Sequence, residues 1–179
     1  MEKRLALSEL SLWSSQLRAG DRVLLSGTVY TARDAVHKRF AEAIAAGEPL
    51  PIDLRGAAIY YAGPTPEKNG LAVGSCGPTT SSRMDKYTPM LLERGLRCMI
   101  GKGGRSERVV EAMKATGGVY FCAIGGAGAL YASRIRSCEV VAFSELGCES
   151  LKKMVVEDLP VIVGIDSLGG SLFDGGAKR

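Results

Sequence analysis

Residues 97–128 read RCMIGKGGRSERVVEAMKATGGVYFCAIGGAG, and two periods alternate within them. Arg97-Cys98-Met99-Ile100 is a short apolar run that suits a buried strand. Gly101-Lys102-Gly103-Gly104 is a turn, and residues 106–115 carry a helical pattern that Gly117-Gly118 terminates. Residues 119–124 are a second apolar strand, and Gly125-Gly126-Ala127-Gly128 turns the chain into a short helix. Strand-turn-helix units of this kind indicate an α/β domain.

Upstream, residues 22–30 read as a strand opened by the turn pair Gly20-Asp21. Thr31 with Asp34 resembles a capping box, and Ala35, Phe40, Ala41, Ile44 and Ala45 give a helical stripe that Gly47 stops. Residues 51–54, 57–62 and 71–73 read as short strands separated by Gly63-Pro64 and Lys68-Asn69-Gly70. Ser82 with Asp85 marks a second helix start, running to about residue 94 with an interruption at Pro89. Downstream, residues 139–143 and 161–165 are further buried strands, and the tail 175–179 should fray. The first residues read only as an amphipathic, partly polar start. The order, β-rich early and alternating later, predicts a single domain over residues 1–179 with a mixed sheet.

Composition narrows the function classes. The chain has 179 residues, 46% hydrophobic and 23% charged, which is enough for one core without disulfides or structural metal. Its apolar stretches are broken by glycines and fall short of the roughly 20 residues of a membrane span. Met1-Glu2-Lys3-Arg4 leads into polar residues, not the apolar region of a secretory signal, so a cytoplasmic location is expected. Five cysteines, an odd number with no CxxC pair, argue against a disulfide framework or a zinc site. Cys98, Cys122 and Cys138 read as buried thiols. The net charge of +4 is spread along the chain, which disfavours nucleic acid and suits a small anion or a complementary subunit.

Three cations stand at predicted helix starts: Arg33 beside Thr31, Arg83 beside Ser82, and Lys102 in the glycine turn. A cation there is unfavourable by about 0.3 to 1 kcal/mol, whereas a bound anion gains from free N–H groups and the dipole. If these starts share one sheet edge, they converge on a small dianion. Gly77-Pro78-Thr79-Thr80-Ser81-Ser82-Arg83 adds consecutive hydroxyls and reads as a ligand cradle. The glycine turns match neither GxGxxG nor a P-loop. His37, the sole histidine, reads as a partly exposed helical residue without a catalytic role.

Thr28-Val-Tyr-Thr-Ala-Arg-Asp-Ala-Val-His-Lys-Arg39, Gly77-Pro-Thr-Thr-Ser-Ser-Arg-Met-Asp85 and Met99-Ile-Gly-Lys-Gly-Gly104 together resemble the C-terminal domain, or separate β subunit, of class I fumarases. L-tartrate dehydratase β subunits are similar. The likeness extends through Gly125-Gly-Ala-Gly-Ala-Leu130 and from Glu145-Leu-Gly to Asp166. It implies a swivelling β/β/α-type domain and an α partner that holds a [4Fe–4S] cluster through three cysteines of its own. It implies that Arg33, Arg83 and Lys102 bind substrate carboxylates beside Thr79, Thr80, Ser81 and Ser82, with Thr79 as a catalytic base and the general acid supplied by the partner. The implied product is a higher-order heteromer acting on a hydroxy-dicarboxylate, as fumarate hydratase or L-tartrate dehydratase. Cys148 departs from the methionine common in such relatives and reads as a packing substitution. A free-standing anion-binding module is the rival reading, and a nucleotide-binding enzyme a distant third.

Overall fold

A computed structural model describes residues 2–174. Seven strands form one mixed sheet: β1 (Lys3–Ala6), β2 (Arg22–Thr31), β3 (Ala58–Tyr60), β4 (Cys98–Gly101), β5 (Val119–Cys122), β6 (Ile135–Ala142) and β7 (Leu151–Ile165). Their order is β1-β2-β3-β4-β5-β7-β6, with a further pairing of β2 to β7. Strands β1 to β5 are mutually parallel, while β7 runs antiparallel to β2, β5 and β6. Because β7 bonds both β2 and β5, strands β2, β3, β4, β5 and β7 close a ring. Its 15 residues give β7 the reach for this. Strand β2 bends to follow at Gly27, where its register with β7 shifts and φ is +133°.

The pleat sends alternate side chains to two cores. Tyr60, Ile100 and Phe121 point into the ring with Val29, Met154 and Val163. Ile59, Tyr61, Met99 and Tyr120 point outward against the helices. There α2 (Asp34–Ala45) contributes Val36 and Phe40, α3 (Thr88–Glu93) Leu91 and Leu92, and α4 (Glu107–Thr116) Val109 and Met113. Two short helices complete the fold, α1 (Leu10–Trp13) and α5 (Gly128–Ser133), the latter placing Tyr131 in the ring core. Strands covered on both faces are continuously apolar, and for that reason β3, β4 and β5 are plain in the sequence.

Several expectations are corrected. Residues 51–54 form no strand, with a bend at 51–52, and residues 71–73 make only one isolated bridge, Leu71 to Lys68. Pro51 brings no N–H to a ladder. Strand β1 was not foreseen, because Glu2, Lys3 and Arg4 are exposed and mask its pattern. Strand β6, expected buried over 139–143, spans Ile135–Ala142 and leaves Val140 and Val141 exposed, because it is an outer strand paired only with β7. Strand β7 begins ten residues before the predicted 161, its apolar character interrupted by Lys152, Lys153, Glu157 and Asp158. Thr31 ends β2 instead of capping α2; its buried Oγ1 donates to Ser150 O (3.4 Å) and accepts from Lys152 N–H (3.3 Å). Pro89 does not interrupt a helix but sits in the first turn of α3, where its missing N–H is harmless. The expected helix start at Ser82 is a 3-10 turn, Ser81–Met84. The predicted fraying tail, 175–179, lies outside the described residues.

The ring core sets the first prediction. Phe121→Ala empties a fully buried position and should lower unfolding free energy by about 3 to 5 kcal/mol in urea denaturation, whereas Leu12→Ala, at 68% exposure, should stay within about 0.5 kcal/mol. Equal effects at the two positions would contradict a packed ring.

Candidate functional site

Parallel strands β2, β3 and β4 end on one edge of the sheet, the edge at which open α/β sheets take ligands. Arg33 follows β2, and Lys102 follows β4 directly. Two strand spacings, about 10 Å, separate those strand ends. The segment carrying Thr79 and Thr80 is inserted between them. Thr79 N–H donates to Tyr61 O (2.7 Å), Ala62 bridges Pro78, Thr80 bridges Lys102 in parallel, and Ser81 N–H donates to Lys102 O (2.9 Å). The segment therefore acts as a strap, held like a short strand where β3 and β4 part.

Ser81 locks this strap. Its buried Oγ accepts the Lys102 N–H (2.9 Å) and lies 2.8 Å from the Tyr120 hydroxyl, which itself donates to Gly103 O (2.7 Å). A Cβ on Gly101 would fall 2.0 Å from Ser81 Oγ and 2.7 Å from the Tyr61 ring, so only glycine fits beneath the strap. Of the expected hydroxyl cradle, Thr80 and Ser82 are exposed and Thr79 is half-buried, while Ser81 is turned inward and spent on the backbone. The glycine turns serve packing: Gly128 O accepts the Cys76 N–H (3.1 Å), and a Cβ on Gly128 would collide with Ser75 Oγ at 2.3 Å.

The cations are placed less uniformly than expected. Arg33 is the N-cap residue of α2, with no side-chain cap bond. Its Nε lies 3.0 Å from Glu149 Oε1 but is not aimed at it, so the contact is electrostatic without a hydrogen bond. Lys102 precedes α4 at a distance, because Ser106 is that helix's N-cap. Arg83 lies exposed in the 3-10 turn and not at an α-helix start. Helix electrostatics thus bear on Arg33 alone; sheet topology brings Arg33 and Lys102 to one edge.

Sequence reasoning passed over Arg105. Its fully buried guanidinium pairs with Asp85 (2.7 Å), donates to Thr88 Oγ1 (2.8 Å), and stacks over the Tyr61 and Tyr120 rings at 5.2 and 5.0 Å. Asp85 also accepts the Ser106 N–H (2.6 Å), tying the strap's far end to the start of α4. The Asp85 that was read as a capping partner was the available signal, since it needed a cation.

His37 is fully buried, against expectation. Burial depresses its pKa to about 4, and Arg105 adds to this. Its Nδ1 lies 2.9 Å from Arg33 O, which can only accept, so Nδ1 carries the proton. Nε2 and the Tyr61 hydroxyl are buried without partners, with the rings 5.4 Å apart. Cys76 and Cys98 are buried and Cys122 and Cys138 half-buried, with all four thiols pushed up chiefly by burial; Cys148 is exposed. Among the described residues no group of three His, Cys, Asp or Glu side chains could hold a metal ion, and no helix is long and apolar enough to cross a membrane. A polar concavity of 510 Å³ lies elsewhere, beside the start of β3, and is lined by Tyr30, Arg55 and Lys153 among others.

By class, then, this is an α/β domain that carries cations and hydroxyls on the C-terminal edge of parallel strands. The chain belongs to the family described as Fumarase C-terminus, which matches residues 2–176. It is similar to Fumarate hydratase 2 of Leishmania major, 41% identical over 161 residues, covering 89% of this chain and 28% of that protein. Aerobic class I fumarate hydratase of Escherichia coli K12 is 40% identical over 169 residues, 93% of this chain and 31% of that protein. A Methanocaldococcus jannaschii protein named for the L(+)-tartrate dehydratase subunit beta is 36% identical over 165 residues, 89% of this chain and 85% of its own length. The chain thus spans under a third of the fumarate hydratases.

His37 gives the second prediction. Its folded pKa of about 4 lies below the ordinary imidazole value of 6.5, so between these values the unfolded chain binds the extra proton. Stability from the neutral imidazole is complete above pH 6.5 and falls as pH drops toward 4, by up to about 1.4 kcal/mol per pH unit. Proton NMR of the lone histidine should titrate near 4, and His37→Gln should remove this part of the pH dependence. A midpoint near 6.5 would refute the burial.

Proposed function

We propose that this chain is the β-type half of a two-subunit [4Fe–4S] hydro-lyase that interconverts a hydroxy-dicarboxylate with its dehydrated product, malate and fumarate first among them. The observation that carries the proposal is the strap: it sets Thr79 and Thr80 against Lys102, on the sheet edge that also carries Arg33. In this reading Arg33, Arg83 and Lys102 receive the carboxylates. Arg33 and Lys102, about 10 Å apart at their strand ends, suit opposite ends of a small diacid. Thr80 and Ser82 offer hydroxyls at the rim, and Ser81 holds the backbone on which Thr79 and Lys102 sit.

Thr79 is the proposed base. A threonine hydroxyl is too weak an acid to serve unaided, so its alkoxide requires cations nearby, for which Arg83 and Lys102 are proposed. The same charges would stabilise the electron-rich carboxylate that forms when the adjacent carbon loses its proton. The thiols of this chain do not fit a cluster, being dispersed between core and surface. The cluster is therefore assigned to the α partner along with the general acid. A cytoplasmic location goes with this proposal. The L-tartrate dehydratase β subunit is the second reading, supported by the match to 85% of the length of the relative so named.

Reconstitution with the α partner, assayed with malate and tartrate, tests the proposal. Thr79→Val should keep near-normal affinity for succinate while turnover falls by about 10² to 10⁴, the range for acid–base catalysis. Weakened affinity with intact turnover would reduce Thr79 to a binding group. Arg83→Lys should lose about 1.5 to 3 kcal/mol of transition-state stabilisation, because a point charge does not reproduce the planar fork. Carboxylate binding without turnover in any assembled complex would favour a non-catalytic anion-binding module.

A further inference from the structure

We infer that Glu149 is a positioning residue for Arg33: it holds the inner edge of the guanidinium, so that the outer fork is presented to a substrate carboxylate. The inference rests on the reading of Arg33 as a carboxylate-binding group. Glu149 ends a 3-10 segment, Ser144–Glu149, that kinks at Gly147 (φ 59°, ψ −121°). Lys152 pins this kink by donating from Nζ to Gly147 O (2.9 Å), Cys148 O (3.0 Å) and Ser150 Oγ (2.7 Å). Ser150 O is in turn tied to Thr31 at the end of β2, two residues before Arg33. Glu149 is thus fixed to the strand that delivers Arg33.

The Arg33 side chain passes through a narrow gap. A Cβ on Gly63 would lie 3.2 Å from Cys148 O, 3.4 Å from Arg33 Cδ and 3.5 Å from Arg33 Nη1, so Gly63 and the pinned turn confine the guanidinium from two sides. Glu149 Oε1 then meets the buried Nε at 3.0 Å. Among the described residues neither Nη has a hydrogen-bond partner. The guanidinium has two forked edges, Nε with one Nη and the Nη pair; Glu149 faces the first and leaves the second to a carboxylate. Contact at Nε alone leaves that edge open, while Gly63 and the pinned turn limit the rotation that would bury it. With side-chain exposures of 26% and 32%, the pair adds little to folding stability, so its use is orientation.

The test is a double-mutant cycle in the assembled complex, reading KM, kcat and the inhibition constant of succinate. Glu149→Ala should raise KM and the inhibition constant about tenfold, with kcat within about twofold and an unchanged melting temperature. In an Arg33→Ala background, where Arg83 and Lys102 keep binding measurable, the same change should have no further effect. No change from Glu149→Ala, tighter binding, or equal losses in both backgrounds would each overturn the inference. If Arg33→Ala itself leaves KM and the inhibition constant unaltered, the reading of Arg33 as a carboxylate group fails, and the positioning role with it.

Discussion

Everything at the candidate site depends on the double pairing of β7. By bonding β2 on one side and β5 on the other, it turns a run of parallel strands into a closed ring with a filled interior. Closure removes the freedom of β2 and β4 to slide or splay. Their ends, and hence Arg33 and Lys102, stand at a fixed separation. The cost of fixing two cations on one edge is met by burial of both faces of the central strands, where aromatic and aliphatic side chains supply most of the stabilising area.

On that frame the strap is set by close contacts of small residues. Gly101 has no Cβ because Ser81 and the Tyr61 ring occupy its place, and the Ser81 hydroxyl takes up a Lys102 N–H that the sheet cannot satisfy there. Behind it, Arg105 is sandwiched by Tyr61 and Tyr120 and neutralised by Asp85. A buried charge of this kind is tolerable only because it is both paired and hydrogen-bonded. One network therefore joins the strap, the end of β4 and the start of α4, and leaves Thr79, Thr80 and Lys102 as its accessible edge.

The fold was legible where burial is two-sided. Strands β3, β4 and β5 announce themselves as apolar runs punctuated by glycine, and helix α4 by its stripe and caps. Strands β6 and β7 were seen only at their apolar ends, because one-sided exposure mixes Lys and Glu into them. Arg33, Thr79, Thr80 and Lys102 were singled out by motif, and the argument from helix starts holds only for Arg33; long-range strand pairing, which no local pattern encodes, is what sets the others on the same edge. Ser81 was grouped with outward hydroxyls because a run of hydroxyl residues does not reveal which one turns inside. His37 and Arg105 were misjudged or missed for the same reason, since polar side chains reach the interior only through partners distant in sequence.

If the C-terminal edge of the parallel strands receives a small dicarboxylate, and the polar concavity beside β3 does not, the two places respond differently to one. Titration of succinate into the isotopically labelled chain, followed by amide and arginine side-chain NMR, separates them directly. Saturable shifts should gather at Thr79, Thr80 and Lys102 and at the Arg33 guanidinium. Shifts confined to Arg55 and Lys153 beside the start of β3, or none at millimolar succinate, would contradict binding at that edge.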